Sequence, residues 1–354
     1  RIKLCITAGA AVVVWLVVWG VLSPKAADHA KRGVACLEQD DLEGAINASE
    51  SALAIDPRHA KALWVRGVAR FRQGELKGAI SDFDKAISVE PERAGLYHDR
   101  AMAREDSGDR AGALADYDKA IALGGGSSAL FNDRGCLKSG AGDEAGAIAA
   151  FDMAIRKDAD NAAAYYNRGN SRGALKQTKP AIDDYSKAIE LYPHHTWALY
   201  NRGVLYAQAE EPDKAKADYD AVLALDPDHA GALTNRGVLA ADRGDFDVAR
   251  GDCERAIEIA EAAEVDHEDI VLEIAPFVLA RVHAQASQGR HRAGVDPQPV
   301  SDDEASRQRD QAFAQIRRAL KQGRTTADRL ESEEDLAPLR SDPRWAELKL
   351  GVPR

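Results

Sequence analysis

One polar position that recurs at constant spacing is the strongest candidate for binding chemistry in this chain. Every thirty-fourth residue over five successive segments is a carboxylate or an amide, and these residues are Asp99, Asp133, Asn167, Asn201 and Asn235. An asparagine side chain both donates and accepts hydrogen bonds. Such a row therefore suits the N–H and C=O groups of an extended peptide, whatever its sequence. We call these five positions the polar row.

Aromatic residues and a further amide accompany the polar row, where they would add apolar contact and selectivity. These residues are Trp64, Tyr166, Asn170, Trp197 and Tyr200. A second interpretation stays open, in which the row is a solvated polar position or a set of hydrogen bonds between helices. If the row binds peptides, its acidic members Asp99 and Asp133 favour a segment that carries Lys or Arg.

The sequence contains no recognisable catalytic or metal-binding pattern. It has no P-loop, no nucleophile-elbow motif and no dinucleotide-binding glycine motif. His59, His195 and His229 share one slot before a helix, but they belong to three different segments and cannot surround one ion. We therefore predict that the protein is not an enzyme, and we predict no metal, no other cofactor and no small-molecule substrate.

Two helices in each segment must position these residues, as the stretch 196–229 shows. Apolar residues at positions i, i+4 and i+7 form one stripe on a first helix, and they are Leu199, Gly203 and Tyr206. Pro212 fits the first turn of a second helix, where a missing N–H costs nothing. The second helix repeats the same spacing, with Ala215, Tyr219 and Val222.

This two-helix pattern repeats seven times without insertion between Ala26 and Ala263. The slot of Gly203 holds a small residue in every segment, and the others are Gly33, Gly67, Ala101, Gly135, Gly169 and Gly237. Small residues allow two helices to approach closely, and the large residue of the next helix fills the space beside them. One segment cannot bury its own faces, so the segments must stack into a solenoid.

The pattern resembles the tetratricopeptide repeat over about two thirds of the chain. The resemblance implies an all-α fold, a right-handed superhelical solenoid with a concave inner face. We expect seven 34-residue repeats over residues 26–263, followed by an irregular eighth unit and a C-terminal helical cap over residues 264–354. It also implies a function, since some tetratricopeptide superhelices hold extended peptides with an inner asparagine ladder.

A carboxylate clamp, which other members of this family use on chaperone C-termini, is not expected here. Asn170 and Asn201 match the amide positions of that clamp, but Tyr166 and Gly231 stand where lysines belong. The resemblance therefore implies peptide binding through the ladder rather than capture of a terminal carboxylate.

Charge and cysteine content narrow the partner classes. The net charge of −11 and the pI of about 5.4 argue against a nucleic-acid partner. Cys5, Cys36, Cys136 and Cys253 lie in different segments, so we expect unpaired, small buried groups.

An arginine precedes the glycine slot in all seven repeats, and acidic residues recur on the second helices. We expect ion pairs between them, with a phosphate-binding arginine row as the alternative.

Residues 4–22 form an uncharged apolar run. As a helix the run is about 28 Å long, close to the hydrocarbon thickness of a bilayer. We interpret residues 1–25 as a transmembrane anchor, with a cleaved signal sequence or a buried helix as alternatives. The repeats are then expected in the periplasm, or outside the cell after signal cleavage. Because the sequence begins with Arg1 and not with methionine, the question whether a segment precedes it stays open.

These features predict a membrane-anchored scaffold that binds a protein or an extended peptide in the concave groove of its repeats. Two alternatives remain. The chain is the interaction portion of a larger membrane enzyme, such as a receptor-like kinase, or it is an envelope-assembly factor.

Overall fold

The computed structural model describes residues 24–262, 269–286, 301–321 and 334–350. These residues form helices and connecting turns without any β-strand. The chain divides into two compact units, residues 1–175 and residues 176–354, called unit 1 and unit 2. The predicted all-α class is confirmed.

Unit 1 is a stack of antiparallel helix pairs in which each helix packs against its neighbours in the chain. Phe83, Tyr117 and Phe151 are fully buried in its core. The helices are α1 (24–38), α2 (Leu42–Ile55), α3 (Ala60–Arg72), α4 (Leu76–Val89), α5 (Ala94–Asp106), α6 (Arg110–Ala122), α7 (Ser128–Gly140), α8 (Glu144–Lys157) and α9 (Ala162–Ala174).

Unit 2 also begins with antiparallel helix pairs, and its C-terminal part consists of helices that do not follow the repeat. Its repeat helices are α10 (Thr178–Leu191), α11 (Thr196–Gln208), α12 (Pro212–Leu225), α13 (Ala230–Asp242) and α14 (Phe246–Ala262). The remaining elements are α15 (Asp269–Ala286), α16 (Asp302–Lys321), a 3₁₀ helix (Glu334–Leu339) and α17 (Pro343–Leu350).

The C-terminal elements share one apolar core. Phe313 and Ile316 of α16 are buried against Leu336, Leu339 and Trp345 from the tail. Helix α15 packs on α13 and α14 as well as on α16, so these elements cover the end of the repeat stack in unit 2. This packing agrees with the expected need of a terminal repeat for a cover.

Close approach of the two helices in a repeat depends on the small residue that the sequence predicts. A Cβ atom added to Gly135 would lie 2.5 Å from Phe151, and one added to Gly203 would lie 2.8 Å from Tyr219. Both distances are shorter than real Cβ contacts. Glycine is therefore required at these two crossings, whereas the third repeat accommodates Ala101 beside Tyr117.

The turn between the two helices of a repeat requires a left-handed residue. Gly74, Gly108, Gly142 and Gly244 have φ between +73° and +86°, as their sequence positions predict. In the three remaining repeats a non-glycine residue takes the same conformation, with φ of 58° or 59°, and these residues are Asp40, Lys176 and Glu210. The turn geometry is thus kept even where the favoured residue is missing.

Side-chain caps begin many of these helices. Asp109 and Asp143 accept hydrogen bonds from the backbone N–H groups of Gly112 and Gly146 at the starts of α6 and α8. The recurring histidines prove to be caps of first helices. The Nδ1 atoms of His59, His195 and His229 accept from the backbone three residues on, at 3.3, 3.3 and 3.1 Å.

Candidate functional site

In unit 1 the two acidic members of the polar row bond to the preceding repeat. The indole N–H of Trp64 on α3 donates to Asp99 on α5 over 2.5 Å. His98 on α5 lies 2.9 Å from Asp133 on α7, measured from Nε2 to Oδ2. In both pairs the partner stands thirty-five residues earlier. The row therefore links consecutive first helices.

Asn167, the amide member of the polar row in unit 1, also bonds to a residue thirty-five positions earlier and in addition contacts a thiol. Asn167 on α9 donates to the side-chain oxygen of Asn132 on α7 over 3.0 Å, and its Nδ2 lies 3.3 Å from the sulfur of Cys136. Cys136 is exposed on this stripe, whereas the sequence predicted a buried group. The prediction failed because position 136 lies on the side of α7 where Asn132 and Asn167 meet, and not at the contact between the two helices of one repeat.

Burial and neighbouring carboxylates raise the pKa values of three groups on this stripe, which are Asp99, Glu105 and Cys136. Partial burial raises the pKa of Asp99, although its bond to Trp64 acts in the opposite direction. Burial raises the pKa of Glu105, and the charge of Asp133 adds to the effect. Desolvation, together with the charges of Asp133 and Glu105, raises the pKa of Cys136 to about 11. Cys136 is consequently a neutral thiol at physiological pH.

In unit 2 the polar row supports an aromatic side chain. The amide of Asn235 on α13 donates to the hydroxyl oxygen of Tyr200 on α11 over 3.2 Å. A Cβ atom at Gly231 would lie 2.9 Å from that hydroxyl, so the missing side chain makes room for the tyrosine. The ring of Tyr200 also lies 6.1 Å from the ring of Tyr219. Tyr200 is thus held from three sides.

Trp197 stands at the edge of this arrangement and is 59% exposed. Its ring meets that of Tyr200 edge-on at 6.4 Å and that of His229 at 5.6 Å. Tyr200 and His229 lie 4.9 Å apart. We call Trp197, Tyr200 and His229 the aromatic cluster.

The remaining predicted residues are half-buried on the same first helices. Tyr166 and Asn170 lie on α9, and Asn201 lies on α11. Each has an interaction partner. Trp64 is half-buried as well, and the guanidinium of Arg93 lies 5.4 Å from its ring. Most predicted site residues are therefore partly engaged within the fold, and Trp197 is the most open of them.

The arginine row forms the predicted ion pairs. Arg100 makes a two-bond contact with the carboxylate of Asp116 and a further bond to Asp84. The same two-bond contact recurs between three further pairs: Arg66 and Asp82, Arg202 and Asp218, and Arg236 and Asp252. These guanidinium groups are occupied by carboxylates, which argues against the phosphate-binding alternative.

Sequence reasoning missed the partners of the row. His98 and Asn132 precede a row position, and His229 belongs to the aromatic cluster, but none was predicted as a site residue. The signal that finds the first two is a spacing of thirty-five between complementary polar residues. His229 has no such signal, because its role depends on how α11 and α13 stack.

The repeats themselves match known protein families. One family profile, described as tetratricopeptide repeat, matches residues 162–195. A second profile with the same description matches residues 31–95 and 200–264. The helix pairs within these matched ranges are tetratricopeptide repeats. No curated protein matches the chain in sequence with significance.

Solved structures share the fold at low sequence identity. The C-terminal part of a repeat-containing protein from Cytophaga hutchinsonii has a TM-score of 0.57 at 19% identity, and the match covers 77% of this chain and 98% of that one. PilF from Pseudomonas aeruginosa has a TM-score of 0.55 at 17% identity, covering 62% of this chain and 99% of PilF. These similarities establish the fold alone.

The predicted membrane segment has no structural support. Residues 4–22 lie outside the described residues, and no described helix combines the length and apolar character that crossing a bilayer requires. The anchor, the signal sequence and the periplasmic location stay predictions from the sequence.

Proposed function

We propose that this tetratricopeptide-repeat chain is a non-catalytic scaffold that binds an extended segment of a partner protein along the inner stripes of its first helices. The observation that carries the proposal is Trp197, a large aromatic side chain with 59% exposure beside a rigidly held Tyr200. Fixed aromatic side chains on an open surface are the residue type that dominates binding energy in protein interfaces.

The polar row contributes to the same face even though it links neighbouring helices. Asn167 and Asn235 each use an N–H of the amide toward the preceding repeat. Among the described residues their carbonyl oxygens have no hydrogen-bond donor, and an amide oxygen accepts from a peptide N–H. The internal bonds then orient the amides before a peptide arrives, which reduces the entropy that binding costs.

The stripe of unit 1 adds a charge preference. Asp99 and Asp133 lie on it, and Glu105 is close enough to Asp133 for their charges to interact. A segment that reaches this stripe gains electrostatic attraction if it carries Lys or Arg. This preference is part of the proposal.

Panning a random dodecapeptide phage library on the immobilised full chain tests the proposal. The affinity of selected peptides is then measured by fluorescence anisotropy for the wild type and for Trp197→Ala. We expect at least a tenfold rise in Kd, because one anchor side chain is worth about 1.4 kcal/mol or more.

Tyr192→Ala is the matched control, because Tyr192 is 54% exposed but lies in the turn before α11. It should change Kd less than twofold. Equal binding by the wild type and both variants would remove the site from this stripe, and a library that yields no binder would end the scaffold proposal.

Membrane tethering through residues 4–22 forms a second part of the proposal. It rests on the length and apolar character of that run. Carbonate extraction of membranes that contain the full chain tests this part, since an anchored chain stays in the pellet and release into the supernatant refutes the anchor.

A further inference from the structure

The inner stripe of unit 2 is uncharged, in contrast to that of unit 1. Between Trp197 and Asn235 the stripe of α11 and α13 carries aromatic, aliphatic and amide side chains. The arginines of these helices point to Asp218 and Asp252 of the second helices. A cationic side chain in this stripe would therefore meet rings but no carboxylate.

The aromatic cluster has more hydrogen-bond donors than acceptors. Within the described residues the indole N–H of Trp197 has no acceptor. His229 uses Nδ1 as an acceptor for its own helix, which leaves the proton on Nε2, and this buried atom also has no partner among the described residues. The hydroxyl oxygen of Tyr200 already accepts from Asn235, so its proton is the group left to bond. Because Nε2 of His229 is buried, the two donors that remain for a ligand are the indole N–H of Trp197 and the hydroxyl of Tyr200.

A ligand that suits this surface offers carbonyl groups and few N–H groups. Proline has a carbonyl but no backbone N–H, and a proline-rich segment adopts the polyproline II conformation with its carbonyls free. Its rings pack on aromatic side chains, and its stiffness lowers the entropy lost on binding. An ordinary extended segment would bring a backbone N–H group at every residue, and these N–H groups cannot pair with the donors of Trp197 and Tyr200.

From this match we infer that the aromatic cluster of unit 2 selects a proline-rich segment in the polyproline II conformation. The inference rests on the proposed function and specifies the chemistry of the partner at this stripe. Trp197 supplies the exposed ring and a donor, Tyr200 forms a fixed floor, and Asn235 holds that floor in place.

Three fluorescein-labelled decapeptides test the inference on the full chain. One is decaproline, one alternates glycine and serine, and one alternates glycine and lysine. Kd is measured by fluorescence anisotropy. We expect decaproline to bind at least tenfold more tightly than the glycine–serine peptide, and the lysine peptide to gain nothing that depends on Trp197.

Two substitutions at Trp197 separate its ring from its donor. Trp197→Ala should weaken decaproline binding at least tenfold, because the substitution removes both the aromatic ring and the indole N–H. Trp197→Phe keeps a ring without the N–H and should weaken binding about threefold. Tyr192→Ala should leave Kd within twofold, and thermal unfolding of each variant shows that the fold is retained.

The outcomes distinguish this inference from the scaffold proposal. Failure of decaproline to bind, or equal binding to the wild type and Trp197→Ala, overturns the inference. If library peptides without proline bind in a Trp197-dependent manner, the scaffold proposal stands and the proline preference falls. If peptides bind but none depends on Trp197, the inference falls and the binding site lies off this stripe, whereas the scaffold proposal ends only if the library yields no binder.

Discussion

In five of the seven repeats a buried aspartate on the second helix occupies the same slot, and its bonds to arginines of the first helix join the pair. Asp82 is fully buried and accepts two hydrogen bonds from Arg66 and one from Arg70. Asp116 likewise accepts two hydrogen bonds from Arg100 and one from Arg104. A buried charge with several charge-assisted bonds fixes geometry, and removal of one partner leaves the other charge unpaired at a large cost.

The fourth repeat lacks this carboxylate, and that difference gives a prediction. Ala150 occupies the slot, is 2% exposed, and leaves Arg134 with a bond to Asp118 alone. Ala150→Asp should cost less than about 1 kcal/mol of unfolding free energy, because Arg134 stands where it can pair with the new carboxylate. Urea unfolding measures the change.

Ala154→Asp is the control for that substitution. Ala154 is also fully buried on α8 but belongs to the close contact between helices. A carboxylate there finds no arginine from its own repeat in the equivalent position and should cost more than about 3 kcal/mol. Equal destabilisation by the two substitutions would contradict the role given to Arg134.

At the scale of helices, the histidine cap of α11 makes that helix sensitive to acid. His195 accepts a backbone hydrogen bond at Nδ1, which is possible only while that nitrogen is unprotonated. A protonated cap would also place a positive charge at a helix N-terminus, where the helix dipole disfavours it. Burial lowers the pKa of His195 from its ordinary value of 6.5.

The sign of this effect follows from proton uptake. Well above pH 6.5 both folded and unfolded His195 are neutral, and its contribution to stability is complete. As pH falls, the unfolded chain takes up the proton first, so the contribution is lost on the way down through the folded pKa. His195→Asn keeps a capping side chain that does not titrate.

The measurement compares the Tm of wild type and His195→Asn at pH 7.5 and pH 5.0. The wild type should lose more Tm between the two values than the variant. Groups that titrate in both proteins, such as Asp99 and Glu105 with raised pKa values, cancel in this difference. Identical losses would show that the cap of α11 does not respond to acid.

At the scale of the whole chain, stability passes from repeat to repeat through nearest neighbours. The C-terminal elements therefore matter beyond their own size. Leu336 and Leu339 are fully buried against α16, and the guanidinium of Arg344 lies 4.4 Å from the ring of Phe313 while bonding to Asp342. Together they keep the apolar face of α16 from water.

Leu339→Ala should loosen this end of unit 2 first. The lost side chain is fully buried, and such truncations cost about 2–5 kcal/mol. Hydrogen exchange should accelerate in α15 and α16 before α11 and α12. Leu225→Ala, at a position that is 40% exposed, is the control and should leave exchange in α15 and α16 unchanged. Uniform acceleration over the unit would contradict nearest-neighbour coupling.

The sequence by itself determined the features that repeat within one segment. Helix pairing, the glycine at the crossing, the left-handed turn residue and the arginine–aspartate pairs all depend on contacts between residues fewer than about thirty apart. Gly135 against Phe151 and Arg100 against Asp116 are examples, each separated by sixteen residues. A fixed period of thirty-four places them in the same local geometry each time, so pattern alone predicts them.

Only the tertiary structure decided how one repeat meets the next. The offset between stacked first helices brings Trp64 to Asp99, Asn132 to Asn167 and Tyr200 to Asn235. The same stacking buries Val65 at the row position of the second repeat, yet leaves Trp197 open. A side chain's partner across that contact depends on the rise and rotation between repeats, and neither quantity is encoded in the period of the sequence.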